Sequence, residues 1–171
     1  MTAMSDPAQV YDALRALGIP FTTHHHPPVF TGDDAAQHWA LIPATQVKNL
    51  FLRNKKGDRH YLVILRVDKQ ADLRQLVKVV ADDRLSFGSP ERLLTYLGVT
   101  PGSVSPFGLL NDAAHVVRVI VDADLRSAER LIFHPNDNRA SVTIGVEDFS
   151  RFLAAIGDDL ELNRCAFIER A

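Results

Sequence analysis

The strongest constraint on the fold is a pair of apolar runs on either side of a polar turn. Asn49-Leu50-Phe51-Leu52-Arg53 is followed by Asn54-Lys55-Lys56-Gly57-Asp58-Arg59 and then by His60-Tyr61-Leu62-Val63-Ile64-Leu65-Arg66. Two such runs around a glycine-containing turn predict an antiparallel hairpin near the centre of a sheet. Other elements are punctuated by their caps. Ser5-Asp6-Pro7 precedes Val10, Leu14 and Leu17 at helical spacing, and Gly18 ends that pattern. Ile19 to Thr23 fits a short strand, His26-Pro27-Pro28 breaks regular structure, and Thr31-Gly32-Asp33-Asp34 opens a helix through Trp39. Asp72 opens a helix carrying Leu73, Leu76, Val77 and Val80, and Ser89-Pro90-Glu91 opens one carrying Leu93, Leu94 and Leu97. Strands fit Val116 to Val121, Leu131 to Phe133 and Ala140 to Gly145, and Glu147 to Ile156 closes as a helix ended by Gly157. Hairpins and helices cluster instead of alternating strictly, which predicts a mixed α+β architecture. No repeat or Pro/Gly/Ser-rich linker divides the chain, so a single domain over residues 1–171 is expected.

Composition removes several function classes. No apolar run approaches the ~20 residues that span a bilayer, and Met1 to Gln9 lacks a basic region followed by an apolar core. A cytoplasmic protein with no membrane association is expected. Cys165 is the sole cysteine, so no internal disulfide can form, and no activating motif surrounds it. A formal net charge of −2 argues against a protein that coats nucleic acid non-specifically. Any nucleic-acid contact is then a local patch, for which Lys48, Arg53, Lys55, Lys56, Arg59 and Arg84 are candidates; a merely solvated hairpin tip is the plain alternative.

Chemistry concentrates in three segments at expected sheet edges. Lys48 stands just before an apolar strand, where an ammonium meets either a phosphate, a developing oxyanion or only solvent. Gly98-Val99-Thr100-Pro101-Gly102-Ser103-Val104-Ser105-Pro106 must turn sharply and leaves backbone groups open to a ligand, although an ordinary connecting loop has the same composition. His134 follows a strand and precedes an Asn/Asp-rich turn that suits a small polar pocket, or is simply structural. His24-His25-His26 lacks a completing ligand at a familiar spacing, so no metal is expected. A serine triad drawn from Ser103 or Ser105 with His134 lacks a Gly-x-Ser-x-Gly elbow, and neither a P-loop nor a dinucleotide fingerprint occurs. No cofactor is expected.

Taken in order, His26-Pro27-Pro28-Val29-Phe30-Thr31, Val47-Lys48-Asn49-Leu50-Phe51-Leu52, Leu97 to Pro106 and Phe133-His134-Pro135 resemble the YbaK and prolyl-tRNA synthetase editing-domain superfamily. The resemblance is nearest to its freestanding alanyl-tRNA(Pro) deacylases and extends from the first helix to the last. It implies a compact α+β domain whose mixed, barrel-like sheet is wrapped by helices. It also implies hydrolysis of the ester joining alanine to the terminal adenosine of tRNA(Pro), acting in trans. By the same resemblance Lys48 and the Gly102 loop are catalytic and His134 sizes the amino-acid pocket. Asn49, Pro101, Ser103, Ser105, Phe30, Thr31 and Asn138 are implied as further substrate contacts. The acceptor stem falls to Arg53, Lys55, Lys56, Arg59 and Arg84, and a transient association with prolyl-tRNA synthetase is implied. Within the same resemblance, Cys-, Ser- or Thr-charged tRNA is the alternative substrate, and a non-catalytic nucleic-acid-binding module is the alternative class.

Overall fold

The computed structural model describes residues 4–170. In chain order the elements are α1 (Pro7–Ala16), β1 (Thr22–His25), α2 (Gly32–Trp39), β2 (Thr45–Asn54), β3 (His60–Arg66), β4 (Lys69–Ala71), α3 (Leu73–Val80), β5 (Leu85–Phe87) and α4 (Pro90–Leu97). They continue with β6 (Val117–Asp122), β7 (Arg130–Phe133), β8 (Ala140–Gly145), α5 (Val146–Ala155), β9 (Glu161–Asn163) and β10 (Phe167–Glu169). Short 3-10 helices cover Pro106–Asn111 and Ala123–Ser127.

Helix starts follow the side chains that satisfy their first N–H groups. Asp6 accepts from Ala8 N–H, Thr31 from Asp34 N–H, Asp72 from Arg74 and Gln75, and Ser89 from Arg92. Proline sits in the first turn of α1 and of α4, where its missing N–H costs nothing. Gly98 ends α4 at φ +68°, a left-handed position that glycine adopts without strain.

The main sheet runs β1-β8-β7-β2-β3-β6-β9, with β5 also paired to β2. The hairpin β2–β3 is antiparallel and central, whereas β7 joins β2, β6 joins β3 and β9 joins β6 in parallel. The sheet is therefore mixed, and the fold is α+β. Strand alternation sends Val47, Phe51, Leu62 and Ile64 into one core with α1, α4 and α5. The intervening Leu52, Tyr61, Val63 and Leu65 enter a second core with α3 and β10. A third, smaller cluster of Val29, Ala35, Trp39 and Ile132 lies under α2. Phe107 anchors the largest core, with ring centroids 5.7 Å from Phe133 and 5.2 Å from Phe152.

Two expected strands move by more than one residue. The strand expected over Ile19 to Thr23 forms instead at Thr22–His25, because Pro20 lacks a donor and the partner strand β8 pairs with Thr22 to His25. β2 begins earlier than the apolar run suggests, at Thr45, where β7 supplies its partner.

β4 and β10 form a separate two-stranded ribbon. It is tied to the main sheet by Lys69, whose Nζ lies 2.9 Å from Asp122 and 2.5 Å from Asp124. The Lys69 side chain is 4% exposed and that of Asp122 is 0% exposed. Replacing Lys69 by Met strands a buried carboxylate, so we expect Lys69→Met to lower stability by about 3–5 kcal/mol in urea unfolding. A loss below 1 kcal/mol would show that the pair is dispensable.

Candidate active site

β2 has one edge fully occupied by β3 and another that two strands share. β7 pairs with Thr45 and Gln46, and β5 pairs with Leu52 to Asn54. Between them the second edge is open around Lys48 and Asn49. The opening has a sequence cause: β7 stops at Phe133, and its register, if continued, would set His134 opposite Lys48. Pro135 follows, cannot donate to a ladder, and turns the chain away.

Alternate residues of β2 direct their main-chain groups to opposite edges. Gln46 O accepts from Val67 N–H and Asn54 N–H donates to Arg59 O on the β3 side, whereas Phe51 O accepts from Gly88 N–H on the other. By this alternation the peptide groups of Asn49 face the gap. Lys48 and Asn49 project to opposite faces of the sheet, yet both line the same cavity because the cavity lies at the strand's open edge.

That cavity has a volume of about 600 Å³. Lys48, Asn49, Gly102, His134, Phe30 and Thr31 line it. The loop from Thr100 to Ser103 reaches it through a turn in which Thr100 O accepts from Ser103 N–H at 3.0 Å, with Pro101 second and Gly102 third. Gly102 has φ +90°, the conformation that the third position of a type II turn requires. A Cβ there would sit 3.5 Å from Val29 O, which is ordinary contact, so backbone conformation is what selects glycine. The Gly102 N–H stays outside the turn's own bond.

Asn49 links this loop to β2, since its Nδ2 donates to Val104 O at 3.3 Å. Its Oδ1 is buried with no partner, and that donor contact fixes which end of the amide is the oxygen. Lys48 has no carboxylate within ion-pair distance among the described residues. Burial holds its ammonium below the usual lysine range, and nearby Arg170 lowers it further against the opposing pull of Asp68.

His134 is 8% exposed, and its ring packs 5.5 Å from Trp39 and 6.0 Å from His26, centroid to centroid. Its Nδ1 lies 2.9 Å from Ala140 O, so Nδ1 carries the proton and Nε2 is the unprotonated nitrogen of the neutral ring. Behind it, Trp39 Nε1–H donates to Ser141 Oγ at 2.7 Å, and the Ser141 hydroxyl donates to His26 Nε2 at 2.7 Å. His26 Nδ1–H donates in turn to Pro27 O at 2.9 Å. The ring nitrogens of His26 are thereby committed, and among the described residues no group of three His, Cys, Asp or Glu could hold a metal.

Other expected positions lie off the cavity lining. Pro101 is exposed on its turn, Ser103 is buried, and Ser105 is fully buried, where its Oγ accepts from Phe107 N–H as a helix cap. Asn138 is committed to Val29 O at 2.7 Å and so holds the wall segment in place. The basic hairpin tip lies at the far end of β2. There Arg53 donates to Asn54 O and Lys55 O, Lys56 faces Asp58 at 3.7 Å, and Arg59 faces Asp82 at 3.8 Å. Lys55 is exposed and its N–H is bound to Asp83, while Arg84 is exposed in the following turn. Conversely, Val29, Trp39, Asp33 and Arg170 line the cavity without having been singled out from the sequence.

The open strand edge thus brings an unpaired amide oxygen, a glycine in a type II turn and an ammonium with no carboxylate at ion-pair distance to one cavity. A profile of the aminoacyl-tRNA editing domain family matches residues 26–152, and the chain belongs to that family. It is an aminoacyl-tRNA deacylase, an ester hydrolase. The prolyl-tRNA editing protein ProX of Acetoanaerobium sticklandii is 40% identical over 145 residues, 85% of this chain and 88% of that one. A mouse prolyl-tRNA synthetase associated domain-containing protein 1 is 34% identical over 155 residues, covering 89% of this chain and 92% of its own. The fold is shared with a crystal structure of a candidate trans-editing enzyme for prolyl-tRNA synthetase, at TM-score 0.69, 22% identity, and coverage of 92% and 96%. Among the described residues no helix is long and apolar enough to cross a membrane.

Burial is the main influence that holds the His134 imidazole below the usual histidine range. As pH falls below ~6.5 the unfolded chain takes that proton first, so the stability tied to the neutral ring is lost as pH drops through the folded-state value. Nitrogen-detected NMR at pH 7 should find His134 singly protonated at Nδ1, with a midpoint below ~6.5. A doubly protonated ring at neutral pH would contradict this arrangement.

Proposed function

We propose that this chain, acting as a single editing unit in the cytoplasm, removes alanine from mischarged tRNA(Pro) in trans. The convergence of Lys48, Asn49, Gly102 and His134 on one cavity at the open edge of β2 carries this reading. A cavity near 600 Å³ accommodates a terminal adenosine with its aminoacyl group, within the ordinary range for small-molecule sites. In hydrolysis, water adds to the ester carbonyl, the bond from carbonyl carbon to ribose oxygen breaks, and the ribose oxygen takes the proton. An aminoacyl ester is already activated, so orientation supplies much of the rate. The Gly102 N–H suits the developing oxyanion, and the unpaired Asn49 Oδ1 suits a donor on the substrate, either its ammonium or its ribose hydroxyl. Lys48 supplies positive charge to the phosphate or ribose end and is not a nucleophile.

His134, with Trp39 and Val29, makes a stiff wall for the amino-acid side chain. Proline is then refused by steric conflict, the second sieve of an editing system. In this reading His134 is a wall and not the base that activates water: Ala140 O holds its Nδ1–H and fixes the ring, with Nε2 left unprotonated. The basic hairpin tip and Arg84 contact the acceptor stem in this reading, and a transient association with prolyl-tRNA synthetase would deliver released product.

A deacylation panel with separately charged Ala-, Cys-, Ser- and Pro-tRNA(Pro) tests the assignment. Ala-tRNA(Pro) should turn over fastest; a preference for Cys or Ser would reassign the pocket, and no turnover of any ester would favour a binding module. Lys48→Ala should lower kcat/KM on Ala-tRNA(Pro) by about 100-fold, the scale of losing one electrostatic stabiliser. His134→Ala should instead admit larger aminoacyl groups, with a discrimination loss capped at about 10–200-fold. Loss of several orders of magnitude on Ala-tRNA(Pro), with no gain on larger esters, would make His134 a general base.

A further inference from the structure

Arg170 lies outside the span of the family match, yet it lines the cavity together with Lys48, and its guanidinium is close enough to act on the Lys48 ammonium. Its position is built by pairing. β10 runs antiparallel to β4 with Phe167 opposite Ala71, Ile168 opposite Gln70 and Glu169 opposite Lys69, and Arg170 N–H then donates to Asp68 O at 3.1 Å. Arg66 fastens the same turn, with one nitrogen 3.0 Å from Glu169 and another 2.5 Å from Asp68. Ala166 and Phe167 are buried in the second core, and Lys69 is locked to Asp122 and Asp124 beneath them. The acids of this turn, Glu169 and Asp68, are therefore engaged by Arg66, and Asp33, which also lines the cavity, makes no ion pair with either cation. Among the described residues no carboxylate pairs with Arg170 or with Lys48 at ion-pair distance.

Two unpaired cations on one rim repel each other unless an anion lies between them. The ester itself offers no anion, and its α-ammonium carries the opposite charge to the one needed. The nearest negative charge on an aminoacyl-tRNA is the phosphodiester that joins the terminal adenosine to the preceding nucleotide. We propose that Arg170 and Lys48 together clamp this phosphodiester, with Arg170 as a substrate-binding residue that sets how deeply the ester enters the cavity. A planar guanidinium presents paired donors that match two phosphate oxygens, and the Lys48 ammonium adds a point charge from the strand edge. The inference rests on reading the cavity as an aminoacyl-ester site and deepens that reading.

Three alanyl esters separate the possibilities: alanyl-adenosine, which has no phosphate; a short RNA ending in CCA; and full-length Ala-tRNA(Pro). Arg170→Ala should lower kcat/KM by roughly tenfold or more on both RNA substrates, the scale of a hydrogen bond to a charged group. On alanyl-adenosine the penalty should be several times smaller. Arg170→Lys should recover part of the loss, because it keeps the charge without the fork. The slope of log kcat/KM against log salt on the short RNA should become shallower by about 0.7 in Arg170→Ala, the contribution of one single-strand phosphate contact. Equal penalties on all three esters, a penalty confined to full-length tRNA, or no penalty would each overturn the clamp. Wild-type protein inactive on every ester would instead overturn the deacylase reading, so the two failures are distinct.

Discussion

The two central strands, β2 and β3, must be buried on both faces, and most of the architecture answers that demand. β3 is buried almost throughout, with Leu62 and Ile64 in one core and Tyr61, Val63 and Leu65 in the other. Helices α1, α4 and α5 cover the first face, while α3 and the β4–β10 ribbon cover the second. Burial of ~25 cal/mol for each Å² of apolar surface makes this two-sided packing the main source of stability. It also makes β2 rigid, so Lys48 and Asn49 stand on a strand that packing holds from both sides.

The site owes its shape to what is absent from that rigid strand's second edge. β5 and β7 approach from opposite ends and neither extends across the middle. Three loops close the space: residues 26–31, residues 100–104 and residues 134–139. They brace one another through main-chain bonds, with Val29 N–H donating to Asn138 O and His26 N–H donating to Arg139 O. The side-chain bonds of Asn138 to Val29 O and of Asn49 to Val104 O complete the bracing. Several polar residues in these loops are thus occupied in holding the walls, whereas Asn49 Oδ1 has no partner.

Local signals made much of this legible in the sequence. Caps at Asp6, Thr31, Asp72 and Ser89 fixed the helix starts, and the paired apolar runs announced the central hairpin. Lys48, Gly102 and His134 were reached through segment chemistry and a family resemblance, and they line one cavity. What stayed hidden depends on pairing between distant segments. β4, β5, β9 and β10 are three-residue strands, too short to carry a periodic signal, and each exists because a partner far along the chain aligns it. Arg170 reaches the cavity through one of these pairings, so nothing near it in sequence marks it. Ser103 and Ser105 also do structural work that their segment did not announce: the Ser103 N–H closes the turn on Thr100 O, and Ser105 Oγ caps the short helix at Phe107 N–H.

An unfilled stretch of strand edge is also a hazard, because it offers a template on which another extended chain can pair and start an aggregate. Here the opening is recessed behind loops, and Lys48 stands on it as edge lysines do in many sheets. In the reading proposed above, the Lys48 charge, which no carboxylate meets at ion-pair distance among the described residues, draws an anionic nucleic-acid end toward the gap. It also makes the burial of a neutral peptide strand beside it expensive, since the ammonium would lose water and gain no counter-charge. In that reading one side chain filters what enters the gap: a polyanion's end is admitted, and a stray β-strand is kept out.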